Sequence, residues 1–299
     1  MSLCVGSHIP FSSKVGVCQS VESADLPLDC YQLYISNPKA FSSTEYKQSD
    51  LLSFRKSGKT LFVHASLIYN LCGSKEGEDC PKYKRNLEFT RNGLSHDLDV
   101  CALMGAKGLV VHVGAAKDRE WGCRKVAETV DFVLKEESKL TDRYSKILGK
   151  DIRKERLLLL ENCAGEGTKL GRDIPELFKI WSLIKNKKQV GFCIDTCHGF
   201  ASGSMDFGTE KGIQEFWKEW EEYFPKDSLR LFHLNDSKGV LGCKVDRHET
   251  LLCGKIWEDK PEVLACFLNE AKEKEIPLIL ERKDDTVEKE LGICRVLVE

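Results

Sequence analysis

Short apolar runs, many of them β-branched, recur along the chain at residues 4–9 (CVGSHI), 30–36 (CYQLYIS), 60–66 (TLFVHAS), 108–114 (GLVVHVG), 157–163 (LLLLENC), 190–197 (VGFCIDTC), 229–235 (LRLFHLN) and 277–282 (PLILER). Runs of this length without alternation suit strands buried on both faces. Between them the apolar positions change to helical spacing. Leu51, Leu52 and Phe54 precede the third run, Val126, Val130, Val133 and Leu134 the fifth, and Val263, Leu264, Phe267 and Leu268 the eighth. Strand then helix, eight times over, predicts an α/β chain folded as a TIM (β/α)8 barrel. A doubly wound sheet is the competing arrangement, but no G-x-G-x-x-G follows the first run. No Gly- or Ser-rich linker breaks the rhythm, so one barrel domain is expected to span residues 1–299.

Composition narrows the setting more than the chemistry. With 41% hydrophobic and 31% charged residues the chain is an ordinary globular sequence able to bury a full core. A net charge of -2 gives no global attraction for nucleic acid, so phosphate binding would have to rest on local basic residues or on metal ions. The opening MSLCVGSHIP has no basic segment followed by a long apolar core, and no run reaches the roughly 18 apolar residues of a membrane helix. The expectation is an intracellular soluble protein of the cytoplasm or nucleus, with no membrane association. The 14 cysteines are scattered through apolar runs and read as buried thiols in a reducing compartment. Cys193-x-x-x-Cys197 matches neither a redox C-x-x-C nor a zinc knuckle, whereas Cys72 and Cys80 flank a polar loop and stand apart from the core pattern.

Ionisable residues change the picture, because they sit at or just past the C-terminal ends of the apolar runs: His64, His112, Glu161, Asp195 with His198, His233 and Glu281. In a barrel those ends share one face, where the loops after the strands converge and active sites form. Asp246 and His248 follow in the loop after the seventh run, in VDRHE, so five of the seven histidines join four carboxylates. Imidazole with carboxylate is a zinc-like ligand set. A single strand-end histidine is most often hydrogen-bonded scaffolding; nine such residues converging on one face favour a metal cluster. His8 and His96 read as scaffolding, His8 through hydrogen bonds behind a site.

At these residues the sequence resembles endonuclease IV, the metal-dependent family of abasic-site endonucleases. The resemblance runs through QLYISNPKAF (32–41), VHASLIYNL (63–71), VVHVGAA (110–116), LLENCAGEGTKLG (159–171), GFCIDTCHGFASG (191–203), FHLNDSKGVLGCKVDRHE (232–249) and LILE (278–281), in the family's order. It implies three zinc ions at the mouth of the barrel, with Mn2+ as an alternative at one site. His64, His112 and Glu161 would hold the first ion. Glu161 would bridge to a second held by Asp195, His233 and Glu281, and His198, Asp246 and His248 would hold the third. Glu161 and Glu281 carry the catalytic role in this assignment. Clustered zinc can generate hydroxide near neutral pH and neutralise charge growing on a phosphodiester, two needs of hydrolysis. The implied reaction is cleavage 5′ to an abasic site, leaving a 3′-hydroxyl and a 5′-deoxyribose phosphate. The implied partner is double-stranded DNA carrying abasic sites or blocked 3′ ends, acted on by a monomer.

The resemblance also marks contacts and departures. Arg247, between two ligands, would touch the DNA backbone, and Lys39 stands where a basic residue enters the DNA at the lesion, lysine here replacing a common arginine. Leu67 occupies a position that is often aromatic; leucine can still wedge between bases but loses stacking. Tyr69 beside it could supply an aromatic ring, or equally serve as packing at the strand end. In DRHETLLCGKIW, Leu252 and Trp257 stand where glycine is expected and Cys253 where an acid is usual. Glu166 replaces a usual glutamine, and Arg282 and Lys283 replace uncharged residues. The basic segments at 82–86 and 146–156 would bear on DNA only if they lie beside the barrel mouth. Two competing readings are a metal-dependent sugar isomerase or epimerase on a related barrel, which would lack the His198, Asp246 and His248 set, and a lesion binder without chemistry.

Overall fold

A computed structural model of the chain describes residues 2–12, 14–39, 46–136, 138–281 and 286–298. Arg282 and Lys283, whose charges depart from the family pattern, lie outside the described residues, as does Phe41. In chain order the elements are β1 (Val5–His8), α1 (Val17–Glu22), β2 (Cys30–Tyr34), α2 (Gln48–Ser57), β3 (Thr60–His64), α3 (Tyr83–Met104), β4 (Leu109–His112), α4 (Arg119–Lys135) and α5 (Lys139–Leu148). They continue with β5 (Leu158–Glu161), α6 (Ile174–Leu183), β6 (Val190–Asp195), α7 (Thr196–Ser202), α8 (Glu210–Tyr223), β7 (Leu229–His233), β8 (Asp236–Ser237), β9 (His248–Glu249), α9 (Pro261–Glu273), β10 (Leu278–Leu280) and α10 (Thr286–Val296).

Eight strands close a barrel in the order β1, β10, β7, β6, β5, β4, β3, β2, with every pairing parallel. The rhythm of the sequence therefore gives the barrel, with each strand shorter than its apolar run. Cys30, Phe62, Val110, Leu159, Cys193, Leu231 and Ile279 form an apolar plug separate from the larger core. That larger core includes Leu51 and Phe54 of α2, Val126, Val130 and Val133 of α4, and Leu264, Phe267 and Leu268 of α9. These are the residues whose spacing predicts helices, and burying a large aliphatic or aromatic side chain contributes about 1.5–3 kcal/mol.

Local chemistry sets where helices start. The Asp118 side chain accepts from the Trp121 N–H, Asp173 from Glu176 and Thr209 from Gly212, while Ser138 and Thr141 form a reciprocal capping box at α5. The alternation is not a plain strand–helix repeat after β7. There the chain forms an antiparallel pair, β8 with β9, before α9 begins. That pair carries the DRH segment back toward the barrel.

The two basic segments separate. Residues 82–86 open α3 after the loop that leaves β3, so the topology puts them at the mouth end. Residues 146–156 lead into the start of β5, at the opposite end of the barrel. One of them, Arg156, is fully buried: its Nη2 lies 2.5 Å from Asp99 Oδ1, and it also donates to Thr141 Oγ1 and to the carbonyls of Val133 and Glu136. It joins α3 to the α4–α5 junction.

All 14 cysteines are free thiols. Cys72 proves to be a core residue whose thiol burial pushes up to about 12, while Cys80 is half-exposed. Among the described residues no helix is long and apolar enough to cross a membrane.

Candidate metal centre

The strands β3, β4, β5, β6 and β7 end on His64, His112, Glu161, Asp195 and His233, and Glu281 directly follows β10. Register brings neighbours level: His112 pairs with Glu161 and Asp195 with His233. A strand's last side chain is the one best placed to leave the apolar interior without leaving the barrel, which is why the chemistry sits there.

Glu161 is the hub. One oxygen, Oε2, lies 3.2 Å from His64 Nε2 and 3.0 Å from His112 Nε2. The other, Oε1, lies 3.0 Å from His233 Nδ1 and 3.5 Å from His198 Nδ1. Glu281 Oε2 is 3.3 Å from the same His233 Nδ1. Further out, Asp246 reaches His198 Nε2 at 3.2 Å with one oxygen and His248 Nε2 at 3.3 Å with the other.

The donor atoms fall into groups whose members all lie within 4.8 Å of one another: His64, His112 and Glu161; Glu161, Asp195, His233 and Glu281; Asp195, His198 and His248; and Cys197, Asp246 and His248. The structure adds two features that sequence reading did not contain. Asp195 faces two groups, its Oδ2 lying 3.6 Å from His248 Nε2. Cys197, read from sequence as a small core residue, is buried but places its sulfur beside Asp246 and His248, with burial and the Asp195 charge holding the thiol well above its ordinary range.

A second layer orients these side chains. His64 Nδ1 donates to the Ala65 carbonyl at 2.7 Å, leaving Nε2 toward Glu161. Asn162 bridges strands, accepting from the Asp195 N–H at 2.7 Å and donating back to the Asp195 carbonyl. Asn235 donates to Asp195 Oδ2 at 2.7 Å and to Glu281 Oε2 at 3.3 Å. Asp195 Oδ1 caps α7 by accepting from the His198 N–H, which fixes the D-T-C-H spacing: the capping residue and the third residue of the helix share one face. Past α7, Gly203 at φ +81° packs so closely on Gly242 that an added Cβ would stand 3.1 Å from its Cα, and the Gly242 and Lys244 N–H groups donate to the Phe200 and Ala201 carbonyls. These contacts seat the loop that carries Asp246 and His248.

The electrostatics fit a cation-binding pocket. Burial raises the Glu161 carboxyl, yet the His112 and His233 charges outweigh it and hold the group well below the usual carboxylate range. Burial likewise opposes charge on His198, but Asp195 and Asp246 push it up to about 10; His233 and His248 are also raised against burial, His233 first by the adjacent Cys193 and then by Glu281 and Glu161. Asp246 and Glu281 are lowered in spite of burial by their histidine neighbours. Among the described residues no lysine or arginine pairs with Glu161, Asp195 or Glu281. Buried carboxylates balanced only by imidazoles are the donor set that divalent zinc takes, so the residues fit the metal implied by the sequence.

The remaining positions named from sequence lie on the rim. Lys39, Leu67 and Arg247 are exposed, Leu67 at 44%. The first two share a brace: the Leu67 N–H donates to the Pro38 carbonyl and Ser66 Oγ to the Asn37 carbonyl. Beneath them buried Asp97 accepts from Ser36 Oγ at 2.7 Å and from the Tyr69 hydroxyl at 3.4 Å. Tyr69 is thus a buried prop and does not present its ring at the surface. His96 contacts Asp97, and His8 contacts Gln32. Val240, Leu241 and Val245 expose apolar side chains on the loop leading to Arg247.

The departures resolve individually. Leu252 takes φ +64°, a left-handed conformation that glycine adopts without strain. Trp257 is fully buried and donates its indole N–H to the Phe207 carbonyl, so it plugs the core and does not alter the rim. Cys253 is exposed. Glu166 pairs with Lys169 at 2.9 Å, which offsets its charge.

Comparison with known proteins agrees with this architecture. The family profile described as xylose isomerase-like TIM barrel matches residues 22–293. The chain is 29% identical over 291 residues to the probable endonuclease 4 of Nitrosopumilus maritimus, covering 94% of each. It is 32% identical over 233 residues to the apurinic-apyrimidinic endonuclease of Caenorhabditis elegans, covering 77% of this chain and 52% of that one. The crystal structure of endonuclease IV from Thermus thermophilus superposes with a TM-score of 0.74 at 26% identity, covering 98% of this chain and 97% of that one.

Proposed function

The chain belongs to the endonuclease IV family of xylose isomerase-like TIM barrels, and from that membership we propose that it is a zinc-dependent DNA-repair nuclease that hydrolyses the phosphodiester 5′ to an abasic site. The products are a 3′-hydroxyl and a 5′-deoxyribose phosphate, and the same chemistry extends to removing blocking groups from 3′ ends. The observation that carries this reading is the division of Glu161, whose two carboxylate oxygens face separate groups of donors, an arrangement that would suit a ligand shared between two cations.

His64, His112 and Glu161 would hold one zinc ion and Glu161, Asp195, His233 and Glu281 a second, each set a compact donor group, while His198, Asp246 and His248, linked pairwise through the two oxygens of Asp246, would hold a third. When bound, zinc supplies Lewis acidity toward phosphoryl oxygens and lowers the pKa of water toward neutrality. The chain's own residues do the rest. Asn162 and Asn235 hold the Asp195 carboxylate and backbone in place, and Asp195 in turn orients His198 through the start of α7. Asp97 locks the two rim loops, so Lys39 and Leu67 are presented together toward a duplex laid across the mouth. Arg247, flanked by Asp246 and His248, is exposed for a backbone phosphate adjacent to the scissile one.

An intracellular compartment, cytoplasm or nucleus, suits a chain whose 14 cysteines are all free. Residues 1–299 act as one domain, and a monomer suffices because the donor set comes entirely from one chain.

The test is incision of a labelled duplex carrying one tetrahydrofuran abasic analogue, with metals counted in the same preparation and a chelated control. That analogue cannot undergo β-elimination, so a cut reports hydrolysis. Incision on the 5′ side that disappears on zinc removal is expected. No incision from a chain holding about three zinc ions would refute the nuclease reading and leave a lesion binder.

A further inference from the structure

Gln32, in the middle of β2, is fully buried beneath the donor groups. A buried amide is costly unless its donors and acceptor are met, and here three other elements of the barrel meet them. Gln32 Nε2 donates to Glu281 Oε1 at 2.9 Å and lies 3.1 Å from His8 Nδ1, while Oε1 lies 2.9 Å from His233 Nε2. The amide has only one workable orientation. Turned over, its oxygen would stand against the Glu281 carboxylate, acceptor on acceptor, so the Nε2 assignment follows from Glu281.

That orientation settles the atoms around it. An amide oxygen only accepts, so His233 Nε2 carries the hydrogen it donates to Gln32. The nitrogen left to face Glu161 Oε1 and Glu281 Oε2 is Nδ1, at 3.0 and 3.3 Å. On Glu281, Oε1 is taken by Gln32 and Oε2 is the oxygen turned toward the group. The remaining N–H of Gln32 donates to His8 Nδ1, so His8 is the outer anchor of the chain of bonds.

We propose that Gln32 is a positioning residue of the metal centre, selecting His233 Nδ1 and Glu281 Oε2 as donors of the second group, with His8 holding Gln32. The inference rests on the zinc reading above and names a residue that touches no cation itself. Its physical content is that partners behind a ligand set its tautomer and rotamer, where loss typically weakens metal binding about 10- to 100-fold.

The experiment compares wild type with Gln32→Met, which keeps volume and removes the hydrogen bonds, and Gln32→Glu, which keeps an acceptor for His233 but puts a charge against Glu281. Zinc retained per chain is measured against graded concentrations of a competing chelator, the metal-free chains are melted, and long-range 15N–1H spectra of zinc-loaded protein report histidine tautomers. In Gln32→Met one ion per chain should be released at about 10- to 100-fold lower chelator, the others holding as in wild type, with the His233 Nε2–H signal lost or mixed. Gln32→Glu should release that ion more readily still. Wild-type retention of every ion by Gln32→Met overturns the proposal, as does uniform loss of all ions with a lowered melt of the metal-free chain, the mark of a merely structural residue. Should Gln32→Met not fold, the wild type decides: an Nδ1–H tautomer of His233 in the zinc-loaded chain overturns the assignment. A wild type that retains no zinc at all overturns the metal reading and this inference together, and is distinguished by its failure before any substitution.

Discussion

Replacing Glu281 with Gln keeps the length and shape of the side chain while removing one charge and one oxygen from the second donor group. The surroundings make the change expensive in a calculable way. Oε1 accepts from Gln32 Nε2 at 2.9 Å, and Oε2 accepts from Asn235 Nδ2 at 3.3 Å and faces His233 Nδ1 at 3.3 Å. Gln32 and Asn235 each present an N–H, one to either oxygen, so whichever way the new amide turns, its NH2 meets a donor and one charge-assisted hydrogen bond is lost. Such a bond is worth about 1.5–3 kcal/mol. Loss of the negative charge opposite the proposed divalent cation adds to this, and removing one preorganised electrostatic group from an active site typically costs about 2.7–4 kcal/mol, a rate loss of about 10²- to 10³-fold. The fold should survive, because Glu281 follows the last pairing of β10 and its backbone N–H still donates to Asn235 Oδ1. The rim residues Lys39, Leu67 and Arg247 are untouched. Single-turnover incision of the tetrahydrofuran duplex, duplex affinity by anisotropy and metal count should show incision down at least about 10²-fold with affinity largely retained. Incision at the wild-type rate would refute the assignment of Glu281.

Three further outcomes are expected. His112→Ala removes one of the three donors of the first group and should lower zinc content and incision together; an unchanged metal count would remove His112 from the ligand set. Arg156→Met strands the buried carboxylate of Asp99 and should cost about 3–5 kcal/mol in urea unfolding, while incision per folded molecule stays at wild type because the pair lies behind α3, away from the mouth; a loss below about 1 kcal/mol would show that Asp99 finds another partner. Hydrogen bonding from Lys150, opposed in part by burial and reinforced by Arg55, holds the Glu155 carboxyl below its ordinary value, so its stabilisation is complete above about pH 4.3 and disappears as pH falls through the lowered folded value. Glu155→Gln should therefore be less stable than wild type at pH 7, by less than about 1 kcal/mol for so exposed a pair, and equal to it once both are acidified below the folded value; a gap that widens on acidification would contradict the sign.

Much of the site was legible because barrel geometry makes a one-dimensional pattern into a place. An apolar run that closes on His64, His112, Glu161, Asp195 or His233 states both that the strand is buried on two faces and that its last side chain is polar, and in a parallel barrel all such ends meet. D-T-C-H was equally readable, since a capping aspartate and a residue three later share the start of a helix. Gln32 gave no such signal: a lone amide within an apolar strand looks like any polar interruption, and its partners lie on β1, on β7 and just past β10. Tyr69 was ambiguous for the same reason, since nothing local separates a ring offered at the rim from one packed at a strand end, and only the fold buries it.

The sequence by itself determined the strand and helix rhythm, the closed parallel barrel, the face that carries the chemistry and the imidazole–carboxylate character of that chemistry. These depend on periodicity and on which residues end each run, properties of short stretches that survive whatever the rest of the chain does. Only the tertiary structure decided which oxygen of Glu161 faces which histidines, that Asp195 stands between two groups, that Cys197 lies beside Asp246 and His248, and that Gln32 fixes His233. Those pairings join residues as many as 201 positions apart, and contact within hydrogen-bonding distance depends on the stagger of strands around the barrel and on the packing of loops, which no local pattern encodes.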